Sequence, residues 1–317
     1  MSVVSLLVAR IEKLKAMLKP ALRRTGDRPI QMGMSKTNPL ASLPPRPADG
    51  HKGLFGRLLV VGGNEGMIGA PALAATSALR MGAGLVQVAV PRSILAAVLS
   101  ITPELIGLGL GKAAGKDQLL EAAEKADAVV LGPGLGRKPD AEARVTRLVR
   151  LDKPMVVDAD ALNILSAGKR WPSFFKAKAV LTPHPGEMSR LGKLFGQTTV
   201  PSDDEGRMEI ATKAAQTFGQ VVVLKGQRTV VSDGMRVYVN HTGDSSLSKA
   251  GTGDVLSGMA GTLLAQKVDG FDAACIAVHL HGRAGEIAGQ RLGMRCVLAR
   301  DVIDSLAAAI REFESDT

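Results

Sequence analysis

From Arg57 onward the chain alternates short apolar runs with segments of helical periodicity, and this alternation limits the possible folds strongly. The apolar runs are RLLVVGG, LVQVAVP, AVVLGPG, PMVVDAD, KAVLTPH and VVVLKG, several of them apolar throughout, as in strands buried on both faces. Helical patterns lie near residues 69–82, 94–100, 116–126, 139–150, 186–195 and 204–218. The alternation predicts an α/β fold in which a mainly parallel central sheet carries helices on both faces.

The chain after residue 226 departs from this alternation. The segment QRTVVSDGMRVYVN predicts a β-hairpin that turns at Asp233–Gly234. Three helical segments then close the chain, and no internal repeat is visible.

Residues 248–258, SKAGTGDVLSG, place glycines where a helix begins, because the apolar run that follows has helical spacing. Small residues let a ligand approach the backbone, and free N–H groups at a helix N-terminus bind anions such as phosphate. The spacing matches neither a Walker loop nor the GxGxxG fingerprint. We therefore predict a distinct anion hole formed by Ala250, Gly251, Thr252 and Gly253.

Asp254 directly follows the predicted anion hole. A carboxylate in the first turn of a helix can simply complement the helix dipole. Beside a phosphate site it is better explained as a general base. It would take the proton from a substrate hydroxyl while the backbone amides stabilise the transferring phosphoryl group.

Glycine and polar residues follow five of the predicted strands. They are Gly62, Gly63 and Asn64; Pro133, Gly134, Leu135 and Gly136; Asp158, Asp160 and Asn163; His184 and Glu187; and Lys225. Each group alone could be an ordinary turn. Because ligands of parallel sheets bind at the carboxyl ends of the strands, five such groups in register predict a ligand site.

The net charge of +10 is concentrated near the N-terminus, where residues 1–57 carry 11 Lys and Arg against three Asp and Glu. Apolar residues from Val4 to Leu22 recur at helical spacing, and PLASLPPRPADG predicts a Pro-rich linker. We assign residues 1–50 to a basic extension with its linker, and residues 51–317 to the catalytic domain. The extension could be solvated, contact RNA, a membrane surface or a partner, or act in targeting. Since only 3% of residues are aromatic, we predict no nucleic-acid partner.

Cysteine and histidine positions give no sign of a structural zinc site. Cys275 and Cys296 fit neither a CxxC pattern nor a disulfide framework, which favours a reducing compartment. His279 and His281 are two residues apart in a predicted helix and cannot face one ligand together. No apolar stretch approaches the roughly 20 residues of a membrane span, so we predict a cytoplasmic protein without one.

These motifs together resemble one enzyme family. GTGD before a C-terminal helix is similar to the ribokinase-like superfamily, whose members have a three-layer sandwich. The combination of HKGLFGRLLVVGGNEGMIGAPALAATSALRMGAGLV, LGPGLG, VVDADALNIL, LTPHPGE, VVLKG and KAGTGDVLSG resembles the ADP- or ATP-dependent NAD(P)H-hydrate dehydratases over residues 51–312. The companion NAD(P)H-hydrate epimerase domain of this family matches nothing here, which implies a functional link to a separate epimerase.

The resemblance implies a reaction of nicotinamide nucleotide repair. ADP, or alternatively ATP, phosphorylates the hydroxyl at carbon 6 of the S form of NAD(P)H hydrate, with Asp254 as base, and loss of phosphate restores NAD(P)H. By similarity the substrate contacts Ala70, Gly134, Gly136, His184 and Asp254, and the nucleotide contacts Lys225, Gly226, Gln227, Arg228, Thr229 and Gly253. Glu187 stands where ribokinase-like enzymes order Mg²⁺, an ion that keeps several waters. A homo-oligomer, either a dimer or a tetramer, is expected.

Two positions depart from the family pattern. Relatives often have Asn-Pro where this chain has Asp244-Ser245, and the ribokinase-like Asn-x-x-Glu motif here begins with His184. A ribokinase-like hydroxyl kinase, such as a hydroxyethylthiazole kinase, is the alternative, because the fold and Asp254 would serve it equally. The motifs before residue 190 favour the dehydratase.

Overall fold

The computed structural model describes residues 40–111, 115–168 and 171–316. These residues belong to one compact unit. The amphipathic helix predicted between Val4 and Leu22 lies outside the described residues.

A nine-stranded sheet forms the centre of this unit. Its strands are β1 (Arg57–Val61), β2 (Leu85–Pro91), β3 (Ile106–Leu110), β4 (Ala128–Leu131), β5 (Pro154–Val157), β6 (Lys178–Leu181), β7 (Val221–Leu224), β8 (Val230–Ser232) and β9 (Val237–Val239). The order is β3-β2-β1-β4-β5-β6-β7-β8-β9, with β1 to β7 parallel and the hairpin β8–β9 antiparallel. The six predicted strands and the predicted hairpin are confirmed.

The edge strand β3 was not predicted. Its sequence IGLGL alternates glycine with apolar residues, and glycine in a strand supplies no side chain to pack. Ile106 is 44% exposed, as expected at an edge.

Helices cover both faces of the sheet. They are α1 (Gly69–Arg80), α2 (Leu95–Ile101), α3 (Gly115–Lys125), α4 (Pro139–Leu148), α5 (Ala159–Ala167), α6 (Trp171–Phe174), α7 (Pro185–Leu191), α8 (Asp204–Phe218), α9 (Thr252–Ala265), α10 (Gly270–Leu292) and α11 (Ala299–Asp316). None of these described helices is long and apolar enough to cross a membrane.

Two apolar cores result from the alternation of side chains along the strands. In β1, Leu58 and Val60 belong to the core that contains residues of α1, α2, α9, α10 and α11. Leu59 and Val61 point to the opposite core, formed with α3 to α8. The predicted arrangement of a central sheet between two helical layers is confirmed.

Helix α9 packs unusually close to α1, and this fixes the position of its N-terminus. A methyl group at Gly258 would overlap the carbonyl oxygen of Ala74 and the hydroxyl of Ser77. The Ser77 hydroxyl donates a hydrogen bond to the Val255 carbonyl at 2.9 Å. One turn beyond Gly258, the Thr262 hydroxyl donates to the Ala78 carbonyl at 3.1 Å.

Residues 40–50, which the sequence analysis assigned to the extension, contact the same unit. Leu40 and Leu43 are partly buried against the core that contains α1. The Arg46 guanidinium lies 3.9 Å from the centre of the Phe55 ring and donates to the Gly82 carbonyl at 2.8 Å.

Candidate active site

The predicted anion hole lies at the N-terminus of α9. Gly251 occupies the N-cap position with φ of +93°, and a methyl group there would lie 2.7 Å from Leu73 Cδ1. The Thr252 hydroxyl turns away from the helix and donates to the carbonyls of Leu247 and Lys249, at 2.8 and 2.9 Å. No side chain of the described residues caps this terminus. The Thr252 amide donates to the Lys249 carbonyl at 3.4 Å, so the amides that can face a ligand are those of Gly253 and Asp254.

Helix α10 holds the loop that leads to the anion hole. The Thr242 hydroxyl donates to the His279 carbonyl at 2.8 Å, and the Ser246 hydroxyl donates to the Gly285 carbonyl at 2.9 Å. Asp244, in place of the usual asparagine, accepts a hydrogen bond from the Ser246 amide at 2.8 Å. Its carboxylate thus caps the short 3-10 turn that follows.

His281 lies against the anion hole, a position that sequence reasoning did not assign to it. Its imidazole is buried, the backbone of Thr252 is close enough to act on its pKa, and its Nε2 has no hydrogen-bond partner among the described residues. Burial lowers the pKa of His281 to about 4, so the ring is neutral at physiological pH. Helical spacing showed only that His279 and His281 cannot share a ligand, and it carried no information about this contact between α10 and α9.

Asp254 lies in the first turn of α9, and its pKa is strongly raised. Burial raises its pKa to about 7, and the nearby charge of Asp158 adds to this rise, whereas Lys225 opposes it. A carboxyl group with a pKa near the working pH can both accept and release a proton. The structure therefore gives Asp254 the property that a general base requires.

Lys225, which follows β7, lies near the carboxylates that follow β5 and β6. Its Nζ lies 2.7 Å from Asp158 Oδ1, and Asp158 Oδ2 accepts from the Ser257 hydroxyl at 2.7 Å. Although burial opposes the charged form, Asp158 and Glu187 raise the pKa of Lys225. A methyl group at Gly253 would lie 3.5 Å from the Lys225 Nζ, so the ammonium group is adjacent to the anion hole.

His184 and Glu187 form a capping box at the start of α7. The Gly186 amide donates to His184 Nδ1 at 3.0 Å, and the His184 amide donates to Glu187 Oε2 at 2.8 Å. Because Nδ1 accepts, the neutral ring carries its proton on Nε2. Burial, followed by the charges of Lys225 and Arg190, lowers the pKa of His184 and keeps it neutral. Its side chain is 52% exposed, and its Nε2–H can serve as a donor.

The predicted substrate-binding residues near β1 and β4 lie together. A methyl group at Gly134 would approach within 3.0 Å of Ala70 Cβ, so the two residues are in close contact. Asn64 Nδ2 donates to the Gly134 carbonyl at 2.8 Å, and the Gly136 amide donates to Asp160 Oδ2 at 2.8 Å. Asn64 and Asp160 thus hold the glycine turn in place. Their positions after strands were visible in the sequence, but their partners were not.

The predicted nucleotide-binding residues after Lys225 form a turn between β7 and β8. Gly226, Gln227 and Arg228 are exposed, and the Thr229 hydroxyl donates to the Gly226 carbonyl at 3.0 Å. Arg228 Nε lies 2.9 Å from Asp204 Oδ2 on α8. Of this segment, the structure ties only Lys225 to the anion hole, and it leaves the turn open to a ligand.

A metal ion would find few protein ligands here. Within residues 40–111, 115–168 and 171–316, no group of three or more His, Cys, Asp or Glu side chains could hold an ion. Glu187 is a buried carboxylate whose pKa burial raises to about 7, with Lys225 opposing the rise. Its oxygen chemistry suits Mg²⁺, which takes its remaining ligands from water and phosphate.

Known proteins share the sequence of this chain over most of its length. The sequence profile of the family described as NAD(P)H-hydrate dehydratase matches residues 58–308. Over 286 residues the chain is 43% identical to a bifunctional NAD(P)H-hydrate repair enzyme of Moorella thermoacetica, covering 87% of this chain and 53% of that protein. It is also 39% identical over 272 residues to the ADP-dependent (S)-NAD(P)H-hydrate dehydratase of Neisseria meningitidis, covering 84% and 88% of the two chains.

A solved structure gives the same result for the fold. The ADP/ATP-dependent NAD(P)H-hydrate dehydratase of Bacillus subtilis, co-crystallized with ATP/Mg²⁺, superposes with a TM-score of 0.73 at 31% identity, over 86% of this chain and 95% of that one. The predicted ribokinase-like fold is confirmed. The chain spans about half the length of the bifunctional relatives that it matches, 53% in the case above.

Proposed function

This chain belongs to the NAD(P)H-hydrate dehydratase family, and we propose that it dehydrates the S form of NAD(P)H hydrate with ADP or ATP as phosphoryl donor. The observation that carries the proposal is the position of Asp254 directly behind an uncapped, glycine-lined helix N-terminus with Lys225 beside it. This arrangement joins a proton acceptor to a site for developing phosphoryl charge.

The reaction proceeds in two stages. Asp254 accepts the proton of the hydroxyl on carbon 6 while that oxygen forms a bond to the terminal phosphorus of the nucleotide, whose bridging oxygen leaves. The first-turn amides of α9 and the Lys225 ammonium stabilise the transferring phosphoryl group. The lone pair of the ring nitrogen then expels phosphate as the carbon–oxygen bond breaks, and loss of a proton from carbon 5 restores the reduced nicotinamide.

Substrate and nucleotide occupy different parts of the site. The small residues Ala70, Gly134 and Gly136 leave room for a flat ring to approach the backbone, and the Nε2–H of His184 can donate to a polar group of the dinucleotide. The turn from Gly226 to Thr229, together with Lys225 and Gly253, receives the nucleotide. We favour ADP over ATP as donor, because a relative that this chain resembles over most of its length is named ADP-dependent.

Mg²⁺ fits the charge of the site. The carboxyl groups of Asp158, Asp160, Glu187 and Asp254 lie near the Lys225 ammonium, and the Arg190 guanidinium also acts on Glu187. Bound Mg²⁺ would supply the charge that neutralises the nucleotide phosphates, held by Glu187 and water. We further propose a cytoplasmic homo-oligomer with a basic N-terminal extension that works together with an NAD(P)H-hydrate epimerase.

The proposal is tested by the recovery of NADH. Purified protein with Mg²⁺, ADP or ATP and hydrated NADH should restore the absorbance of reduced nicotinamide and release an equal amount of phosphate. It should do neither without nucleotide. Persistence of the hydrate under both nucleotides, together with phosphorylation of a thiazole alcohol, would identify the protein as a hydroxyl kinase instead.

A further inference from the structure

Asp158 occupies a helix-capping position but does not act as a cap. It is the N-cap residue of α5, where an aspartate usually accepts hydrogen bonds from first-turn amides. Its side chain makes no such bond. Both oxygens turn instead toward the sheet edge, to Lys225 and Ser257. The need to cap α5 therefore does not explain the orientation of this carboxylate.

The backbone beside Asp158 is strained. Ala159 has φ of +50°, a conformation that is uncommon for residues other than glycine. Strain of this kind persists only where surrounding contacts enforce it, and it concentrates at functional sites. Asp158, the residue directly before Ala159, is 1% exposed.

Asp158 connects three elements of the candidate site. Lys225 follows β7, Asp158 follows β5, and Ser257 lies one helical turn beyond Asp254 on α9. The Lys225 amide donates to the Pro183 carbonyl at 2.9 Å, which holds the base of the lysine. Its long, flexible side chain is then directed by Asp158 Oδ1 at 2.7 Å.

Two other carboxylates compete for the same ammonium group. The charges of Glu187 and Asp254 both act on Lys225. Without the charge of Asp158, the flexible lysine would move toward one of these groups. It would then leave its place beside Gly253, where it can meet a phosphate.

We propose that Asp158 is a positioning residue for the nucleotide, which holds the Lys225 ammonium beside Gly253 and links it to α9 through Ser257. This inference rests on the proposed function only in assigning the nucleotide to this site. It gives Asp158 a role in nucleotide binding that is expressed through Lys225, in addition to its charge effect on Asp254.

The test is a double-mutant cycle read by calorimetric titration with ADP and Mg²⁺, without the hydrate. Asp158→Asn and Lys225→Met should each weaken ADP binding by about 10-fold or more, as expected for loss of one charged contact to phosphate. The double variant should bind no more weakly than Lys225→Met, because the two residues act as one unit. Asp272→Asn is the matched control with a change within about 3-fold, because it makes the same chemical change on α10 at an aspartate that pairs with Arg236 outside the site.

Loss of folding in Asp158→Asn would not end the test. A lysine left buried without its partner destabilises a protein strongly, whereas removal of both partners together is tolerated far better. Asp158→Glu keeps a counter-charge and displaces the ammonium by one methylene. It should also weaken ADP binding. The ADP affinity of the double variant can still be compared with that of Lys225→Met.

Two results would overturn the inference. One is ADP affinity at the wild-type level in folded Asp158→Asn or Asp158→Glu, while Lys225→Met loses it. The other is a double variant whose loss equals the product of the single losses, since independent residues multiply. A wild-type protein that binds ADP but leaves the hydrate unchanged would refute the proposed reaction, and the same titrations would still decide the role of Asp158.

Discussion

Replacement of Asp254 by asparagine is expected to stabilise the fold while it abolishes turnover. Burial and Asp158 raise the pKa of Asp254 from 3.8 to about 7. Since one pKa unit corresponds to about 1.4 kcal/mol, the ionised carboxylate destabilises the folded state by up to roughly 4 kcal/mol above pH 7. Asparagine keeps the shape but remains a buried polar group, so a gain of about 1–3 kcal/mol is expected. For a domain of this size that is a rise in Tm of about 2–6 °C.

The gain should depend on pH in a defined direction. The folded-state pKa of Asp254 lies above the value of 3.8 expected for the unfolded chain, so the folded protein binds the proton more tightly. The stability associated with this proton is fully present below pH 3.8 and is lost as pH rises through about 7. The difference in Tm between variant and wild type should therefore be largest at pH 8 and disappear toward pH 4. The pKa of Glu187 is also raised, so its ionisation lowers stability over the same pH range in both proteins. This contribution cancels when their Tm values are subtracted.

The assay combines thermal melting, without nucleotide or Mg²⁺, with initial rates of NADH recovery. Loss of a general base should lower the rate by about 100-fold or more. Asp272→Asn is the matched control, because Asp272 is also the third residue of its helix, α10, and its side chain is 37% exposed. It should retain the rate and gain no stability. A near-normal rate in folded Asp254→Asn would refute the base assignment, and an unchanged Tm at pH 8 would refute the buried-charge reasoning.

Two further predictions concern packing and use the same melting and NADH-recovery measurements. A chain that starts at Leu40 should match the full-length protein in Tm and in rate. A chain that starts at His51 should have a Tm lower by several degrees, because it loses the burial of Leu40 and Leu43, worth about 1–2 kcal/mol each. Equal Tm values for the two shortened chains would contradict this prediction. Gly258→Ala should cost about 3 kcal/mol and slow turnover by displacing α9 from Ala74, whereas Gly69→Ala, with open space around it, should change little.

The architecture could be predicted because it depends on local periodicity. Buried strands were recognised by continuous apolar runs, and the helices between them by their spacing. The site followed from topology, since residues at the carboxyl ends of parallel strands share one edge whatever the details of packing. The strand β3 was missed because glycine at alternate positions removes the side chains on which this kind of recognition depends.

The partners within the site could not be predicted. Asp158 lies 67 residues from Lys225 and 99 residues from Ser257, and no pattern in the sequence relates such distant positions. The local rule for an aspartate before a helix predicts a cap, and the tertiary ion pair overrides it. His281 shows the same limit, because its contact with Thr252 arises from the packing of α10 against α9.

The charged groups of the site lie at the N-terminus of α9, whereas uncharged contacts with α1 fix the position of this helix. Asp254 and Glu187 are both buried carboxyl groups that resist ionisation, and ionisation of either one costs folding stability at neutral pH. The N-terminus of α9 must nevertheless stay fixed, because first-turn amides stabilise a transferring group only when they are already in position. The contacts of α9 with α1, through Gly258 and the Ser77 hydroxyl, involve no ionised group. They can therefore keep the anion hole in place whatever the protonation state of the carboxyl groups beside it.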